Sequence, residues 1–306
     1  LIEHFCHQHH YLSLEKYDVI RDSEKKCEAC ILPIRSHDFY NCIECDYFLH
    51  EVCANLPRKL DHALHNHPLF IDPYPVYVYK NDDLKCSACF RVSSGFKYKC
   101  RESGCNDDEP FQLDINCILI PECFTHQSHA EHPLFISLSY NNNNNNKIIC
   151  QGCKMGVRGY HLQCTLCEFA ICYKCATIPN EICYNFDEHP LSLCYGESGV
   201  DDTYWCELCE KILDPTEWFY TNRERCTTIH HECLFGEYVY MKSGHTFNYY
   251  HHKVEVISNG SSSRPICPNC HRRSPAPLYF KVYMLDGYAT DGCCSFYCIR
   301  QGTFDM

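Results

Sequence analysis

The sequence predicts a tandem array of small α+β, β-rich modules, each pinned by side-chain ligands rather than by a large apolar core. Three observations carry this. Cysteine supplies 29 of the 306 residues and histidine 20, a cysteine share at which staples decide the fold. The cysteines fall into C-x-x-C pairs, with histidines at fixed offsets from them. The intervening segments are short and rich in aromatic and β-branched residues, as strands of small sheets are. Composition narrows the class further. With 45 % hydrophobic and 22 % charged residues, the chain is not disordered by composition. No apolar run is long enough for a membrane helix. A formal net charge of −12 argues against a phosphate-binding surface.

Disulfides and metal compete for the cysteines. A disulfide framework has no use for histidine, and an odd cysteine total pairs poorly. Five pairs open the pattern: Cys27/Cys30, Cys86/Cys89, Cys150/Cys153, Cys206/Cys209 and Cys267/Cys270. Cys42/Cys45, Cys164/Cys167 and Cys172/Cys175 add three more. A two-residue gap lets both sulfurs of a tight turn reach one tetrahedral zinc. Metal is the reading that follows, and with it a reducing compartment, the cytoplasm, the nucleus or both.

The chain repeats. A His-x-Leu step recurs at His10, His67, His132 and His189, about 57, 65 and 57 residues apart, a module-scale period. Module 1 (8–62) offers His10, Cys27, Cys30, Cys42, Cys45, His50, Cys53 and His62. Module 2 (65–126) offers His67, Cys86, Cys89, Cys100, Cys105, Asp114, Cys117 and His126. Asp114 stands there where module 1 has His50, and a carboxylate is an acceptable zinc ligand. Module 3 (130–183) offers His132, Cys150, Cys153, Cys164, Cys167, Cys172, Cys175 and Cys183. Each change swaps one zinc-competent side chain for another.

Short strands are expected around Phe39-Tyr40, Val76–Tyr79, Phe96–Tyr98, Trp218–Tyr220 and Tyr279–Tyr283. Helical turns are expected at Glu51–Leu56 and Tyr173–Ile178. Asn141–Asn146 reads as a loop and Asn259–Ser263 as a linker.

The block His…CxxC…CxxC-x4-His-x2-Cys resembles the diacylglycerol-type zinc domain of protein kinase C. The His-Pro-Leu step and the Leu49-His50-x2-Cys53 ending resemble its divergent plant form, the DC1 domain of cysteine/histidine-rich proteins. The resemblance implies two interleaved zinc sites per module, with short antiparallel sheets and one short helix. Carried onto module 1, it implies one zinc on His10, Cys42, Cys45 and His62 and another on Cys27, Cys30, His50 and Cys53. In module 2 the sets become His67, Cys100, Cys105, His126 and Cys86, Cys89, Asp114, Cys117. In module 3 they become His132, Cys164, Cys167, Cys183 and Cys150, Cys153, Cys172, Cys175.

Module 4 (187–245) departs from the pattern. Asn222 and Arg225 occupy its second cysteine pair, which leaves one site on Cys206, Cys209, His230 and Cys233. The tail (264–300) resembles the family's short terminal module and offers Cys267, Cys270, Cys294 and Cys298. The sum is about eight Zn2+. Cys6, Cys123, Cys194, Cys226 and Cys293 are left as plain thiols. His4, His7, His9, His65, His129, His231, His251 and His252 read as solvated residues or partners of ligands.

No acid/base or nucleophilic constellation stands out, so no enzyme is expected. The expected role is a non-catalytic protein-interaction scaffold, with an intracellular signalling or stress/defence role implied by the resemblance. A protein partner is expected; nucleic acid and membrane lipid are not. Alternatives are a thiol/disulfide redox protein or sensor through its CxxC pairs, a diacylglycerol-type lipid binder and a histone-tail reader.

Overall fold

The structure, a computed structural model, describes all residues except 19–24, 36–37, 74–76, 79–84, 104, 106–109, 140–146, 183–188, 198, 200–202, 236–237, 260–263, 275, 285–287 and 305–306. The expected loop at 141–146, the ligand Cys183 and most of the expected 259–263 linker lie outside the described residues.

One four-stranded antiparallel sheet followed by a single helical turn is built four times. In module 1 it comprises β1 (Ile2–His4), β2 (His7–Glu15), β3 (Phe39–Asn41), β4 (Phe48–His50) and α1 (Glu51–Ala54). Module 2 uses β5 (Lys59–His62), β6 (His65–Asp72), β8 (Lys97–Cys100), β9 (Gln112–Asp114) and α2 (Ile115–Ile118), with β7 (Tyr77–Val78) outside that sheet. Module 3 uses β10 (Cys123–His126), β11 (His129–Ser139), β12 (Gly159–Cys164), β13 (Ala170–Cys172) and α3 (Tyr173–Ala176). Module 4 uses β14 (Glu181–Ile182), β15 (Leu191–Cys194), β18 (Phe219–Asn222), β19 (Thr227–His230) and α4 (His231–Phe235). A ribbon of β16 (Tyr204–Trp205) and β17 (Ile212–Leu213) is added to it. The tail holds β20 (Thr246–Tyr249), β21 (His252–Ser258), β22 (Leu278–Tyr283), β23 (Ala289–Cys293) and α5 (Phe296–Phe304).

Each sheet has a minimal core, and the repeat explains it. The leucine of every His-x-Leu step is wholly buried: Leu12, Leu69, Leu134 and Leu191. So is the residue before the third inner ligand: Leu49, Leu113, Ile171 and Ile229. Cores this small do not hold a domain alone, which is why staples are needed.

The chain forms two compact units. The first contains modules 1 and 2 and takes back residues 240–256 from the tail. There β20 pairs in parallel with β7 and antiparallel with β21. Tyr240 O accepts from Ser94 N–H at 2.9 Å. Glu28 receives Lys242 Nζ and meets His245 Nε2 at 3.3 Å, while His245 Nδ1 meets Ser94 Oγ at 3.0 Å. The sequence had assigned His245 to the end of module 4; these bonds place it against module 1. The second unit contains modules 3 and 4 and the β22–β23 hairpin.

Within each unit the two modules dock in the same way. In the first, Phe96 N–H donates to Ala29 O at 2.9 Å and the Tyr98 hydroxyl donates to Pro57 O. In the second, Trp218 N–H donates to Gly152 O at 3.0 Å and the Tyr220 hydroxyl donates to Pro179 O. The acceptors Ala29 and Gly152 hold the same place inside a CxxC turn, one residue before Cys30 and Cys153. The larger Trp218 needs the smaller residue: a Cβ on Gly152 would lie 2.8 Å from Cys175 Sγ and 3.0 Å from the indole. Gly152→Ala is therefore expected to destabilise the second unit by about 1–3 kcal/mol. Denaturant unfolding of the zinc-treated chain followed by tryptophan fluorescence measures it, and an unchanged midpoint refutes the tight contact.

Candidate metal centres

Every CxxC that opens a module closes in the same turn. Cys27 N–H donates to Leu32 O at 2.9 Å, Cys150 N–H to Met155 O at 2.9 Å and Cys206 N–H to Lys211 O at 2.9 Å. The residue after the second cysteine is left-handed in all five: Ile31 (φ 62°), Phe90 (59°), Lys154 (52°), Glu210 (57°) and His271 (56°). None is glycine, and Ile31 is β-branched. Such residues cost on the order of 1–2 kcal/mol each and persist where something overrides the strain. A metal gripping both sulfurs is such a constraint.

The turn delivers two cysteines to an inner cluster, and the end of the fourth strand with the helical turn delivers two more ligands. In module 1, Cys27, Cys30, His50 and Cys53 have their donor atoms within 4.8 Å of one another. Cys30 Sγ lies 3.3 Å from His50 Nδ1. His50 Nε2–H is committed to Pro33 O at 3.2 Å, which leaves Nδ1 unprotonated for a metal. Cys150, Cys153, Cys172 and Cys175 cluster likewise in module 3, with Cys150 and Cys172 sulfurs 3.6 Å apart. In module 4, His230 Nδ1 lies 3.4 Å from Cys209 Sγ and 3.7 Å from Cys233 Sγ. In module 2, Cys86, Cys89, Asp114 and Cys117 are all buried. Asp114 N–H donates to Cys86 Sγ at 3.5 Å, and Asp114 Oδ1 accepts from Cys117 N–H at 2.8 Å, capping α2. In the tail, Cys294 Sγ sits 3.6 Å from Cys270 Sγ and 3.5 Å from Cys298 Sγ. Cys293 is buried and pushed up to about 12 by desolvation.

The outer clusters correct the sequence-based ligand sets. They are His7, His10, Cys42, Cys45; His65, His67, Cys100, Cys105; and His129, His132, Cys164, Cys167. His62 and His126, expected to close the sites of modules 1 and 2, belong to neither set. His62 lies on β5, in the sheet of module 2, and its Nδ1 accepts from Leu64 N–H at 3.3 Å. His126 Nδ1 accepts from Ser128 N–H at 3.2 Å, and its ring stacks on Trp218 at 5.2 Å. His4 does the same for Cys6 N–H at 3.3 Å. These three histidines close the turn of the entry hairpin. Burial keeps His126 neutral by drawing it down to about 4, so Nδ1 remains an acceptor. Their strand partners across the turn, His7, His65 and His129, take the ligand position.

From sequence, those three histidines read as solvated residues or partners of ligands. The overlooked signal is a repeated H-x2-H at 4/7, 62/65 and 126/129, and an aromatic residue after the second outer cysteine. His7 stacks on Tyr47 at 4.2 Å, His65 on Phe111 at 4.1 Å and His129 on Phe169 at 4.3 Å. Each stack aims Nε2 at the cluster, 3.3 Å from Cys45, Cys105 and Cys167 in turn. The partner histidines point Nδ1 inward: His10 lies 3.7 Å from Cys42 Sγ and His67 3.9 Å from Cys100 Sγ. Glu44 meets His10 Nε2 at 3.4 Å. Outer cysteines Cys45 and Cys167 are exposed, whereas Cys27, Cys53, Cys150 and Cys175 are buried.

In module 4, Asn222 and Arg225 stand where the other modules have the outer cysteine pair. Asn222 Oδ1 accepts from Glu224 N–H at 3.1 Å and Arg225 N–H at 3.3 Å. That copies a cysteine knuckle without metal, since Cys100 Sγ accepts from Glu102 N–H at 3.4 Å and Cys164 Sγ from Leu166 N–H at 3.3 Å. Arg225 is exposed and Cys226 is left-handed (φ 55°).

Electrostatics ask for a cation. In module 3, Cys150 is pulled far down by Cys153, Cys172 and Cys175, and its charge pushes Cys172 and Cys175 up. In module 4, Cys206 falls to about 4, chiefly through Cys233, which is itself driven up by Cys206. Four thiolates cannot ionise together unless a dication joins them. His132 Nδ1 is buried with no hydrogen-bond partner among the described residues, as a ligand atom reserved for a metal would be. Soft sulfur and imidazole donors in fours suit tetrahedral zinc. His65→Ala is expected to lower bound metal by one ion per chain, and His62→Ala to leave it unchanged. Metal analysis of the two purified variants decides between the observed ligand set and the one expected from sequence.

The C1 domain model matches residues 5–54, 63–118 and 185–234, and the model for a C1 domain-like C-terminal segment matches residues 254–299. Each C1 match ends one residue after the last inner cysteine (Cys53, Cys117 and Cys233) and so leaves His62 and His126 outside the module they follow. Module 3 carries the same sheet and both clusters. No curated protein and no solved structure is significantly similar to the chain. Matched over half its length by the C1 domain and built from its Cys/His clusters, the chain belongs to the C1-domain family, as a cysteine/histidine-rich zinc-finger protein of the divergent type.

Proposed function

We propose that the protein is a zinc-loaded, non-catalytic scaffold that binds another protein, with about eight zinc ions per chain. They are two in each of modules 1 to 3, one in module 4 and one in the tail. The observation that supports this reading is ligand completeness: the three outer clusters and the inner clusters of modules 1 and 3 each bring four protein donors together. A catalytic zinc keeps one position for water or substrate, whereas structural sites are closed. Zinc supplies a redox-inert dication that fixes each turn and does no chemistry there.

Exposed apolar residues on the metal-bearing loops supply contact area. Ile43 and Leu166 sit inside outer CxxC knuckles at 78 % and 72 % exposure, and Met155 flanks an inner one at 68 %. Acidic surroundings such as Glu44 and Asp46 suit a partner with positive charge. A reducing compartment, cytoplasm or nucleus, keeps the thiolates available to metal. A signalling or stress/defence role in a plant cell rests on the family resemblance alone.

Native mass spectrometry of the intact chain is expected to show about eight zinc ions, and chelation to unfold it, since structural zinc contributes on the order of 10–16 kcal/mol per site. Two or fewer ions with intact structure sinks the scaffold reading. The same zinc-loaded protein is expected to show no insulin-reducing activity and no diacylglycerol-dependent sedimentation with liposomes. Turnover in the first assay promotes the redox alternative; recovery in the second promotes the lipid one.

A further inference from the structure

One position covaries with the inner site from module to module. It is the residue of the third strand that faces the third inner ligand across the sheet. The register pairs are Phe39 with His50, Lys97 with Asp114, His161 with Cys172 and Phe219 with His230. All four third-strand residues are essentially inaccessible, at 0 %, 1 %, 0 % and 1 % exposure. Where the ligand is a neutral imidazole the partner is phenylalanine, twice. Where the ligand is a carboxylate the partner is Lys97; where it is a thiolate the partner is His161, whose ring nitrogens meet Gly159 O at 3.2 Å and Gln163 Oε1 at 3.4 Å.

Charge explains the pattern. Three thiolates and a histidine around Zn2+ carry a net charge of about −1, and an anionic fourth ligand takes it to about −2. Buried charge of that kind demands a counter-charge at close range. Lys97 is flanked in the sheet by Asp72 on β6 as well as by Asp114 on β9, and Cys86, Asp114 and Asp72 all favour its charged form. We infer that Lys97 is a positioning residue that offsets the extra negative charge of the inner site of module 2, so that the site's ligand set and its cross-strand residue form one unit. Phenylalanine fills the same volume where no offset is required. The tail site, built on a different frame, is outside this rule.

The inference rests on the zinc reading above, and one experiment separates the two. The full chain, its Lys97→Met variant and the double variant Lys97→Phe/Asp114→His are loaded with zinc and challenged with a chromogenic chelator. Native mass spectrometry follows the species one zinc short of full occupancy. Lys97→Met is expected to lose one zinc about tenfold faster than the parent or more, because one member of a buried charge set has been removed. The double variant reproduces the module 1 pairing and is expected to return to the parent rate. A merely structural role for Lys97 predicts no rescue by Asp114→His. A parent-like Lys97→Met, or a double variant as leaky as the single, overturns the inference. A parent that holds no zinc overturns the scaffold reading and this inference together.

Discussion

A left-handed residue held against its preference just after each module-opening CxxC is the constraint on which the modules depend. Backbone bonds alone close that turn, but five non-glycine residues in that conformation are unfavourable unless the two cysteines are tied to a common point. Once tied, the turn sets the direction of the third strand. The fourth strand and the helical turn then return two more donors to the same point. The buried leucine of the His-x-Leu step and its partner before the third ligand fill the little interior that remains. Burial and ligation are thus not separable: neither closes the module alone.

The outer and inner sites divide labour. The inner clusters are built around buried cysteines, their ligands lie on the frame of the sheet, and in module 1 the histidine is locked by a backbone carbonyl. The outer cluster lies at the hairpin mouth, with one exposed cysteine in modules 1 and 3 and a histidine propped by an aromatic ring. Module 4 shows which is dispensable to the fold. Asn222 accepts from the backbone N–H two residues on, as a knuckle cysteine does, and the β18–β19 hairpin forms around it. An amide oxygen can replace a thiolate as a turn former, though not as a metal ligand.

The fold class, the repeat and the strands near Phe39, Lys97, Phe219 and Leu278 follow from spacing, because two-residue gaps and strand-length segments leave few geometries; the grouping of the inner ligands was implied by the family resemblance. The outer ligands do not. His62 and His65 are both metal-competent imidazoles lying between Cys53 and His67, and sequence distance alone cannot say which sheet His62 joins. Its pairing with β6 settles that, and the stack of His65 on Phe111 is a contact between residues far apart in the chain. Asp114 was legible as a ligand position, yet the reason it could stand there was not, because Lys97 meets it only across the sheet. The return of residues 240–256 to module 1 was equally hidden, since Glu28, Ser94 and His245 carry no local pattern.

The docking of modules also fixes how such a chain can lengthen. Tyr98 reaches Pro57, and Tyr220 reaches Pro179, each across the same 41 residues, while Leu162 in module 3 holds the corresponding place with no hydroxyl to give. The element that can be copied whole is therefore the two-module cassette, with donor and acceptor inside it. Adding one cassette leaves every tyrosine with its proline carbonyl. Adding a lone even-type module strands a hydroxyl, and adding a lone odd-type module strands a carbonyl. The arithmetic of growth in this architecture runs in twos, even though its visible sequence repeat runs in ones.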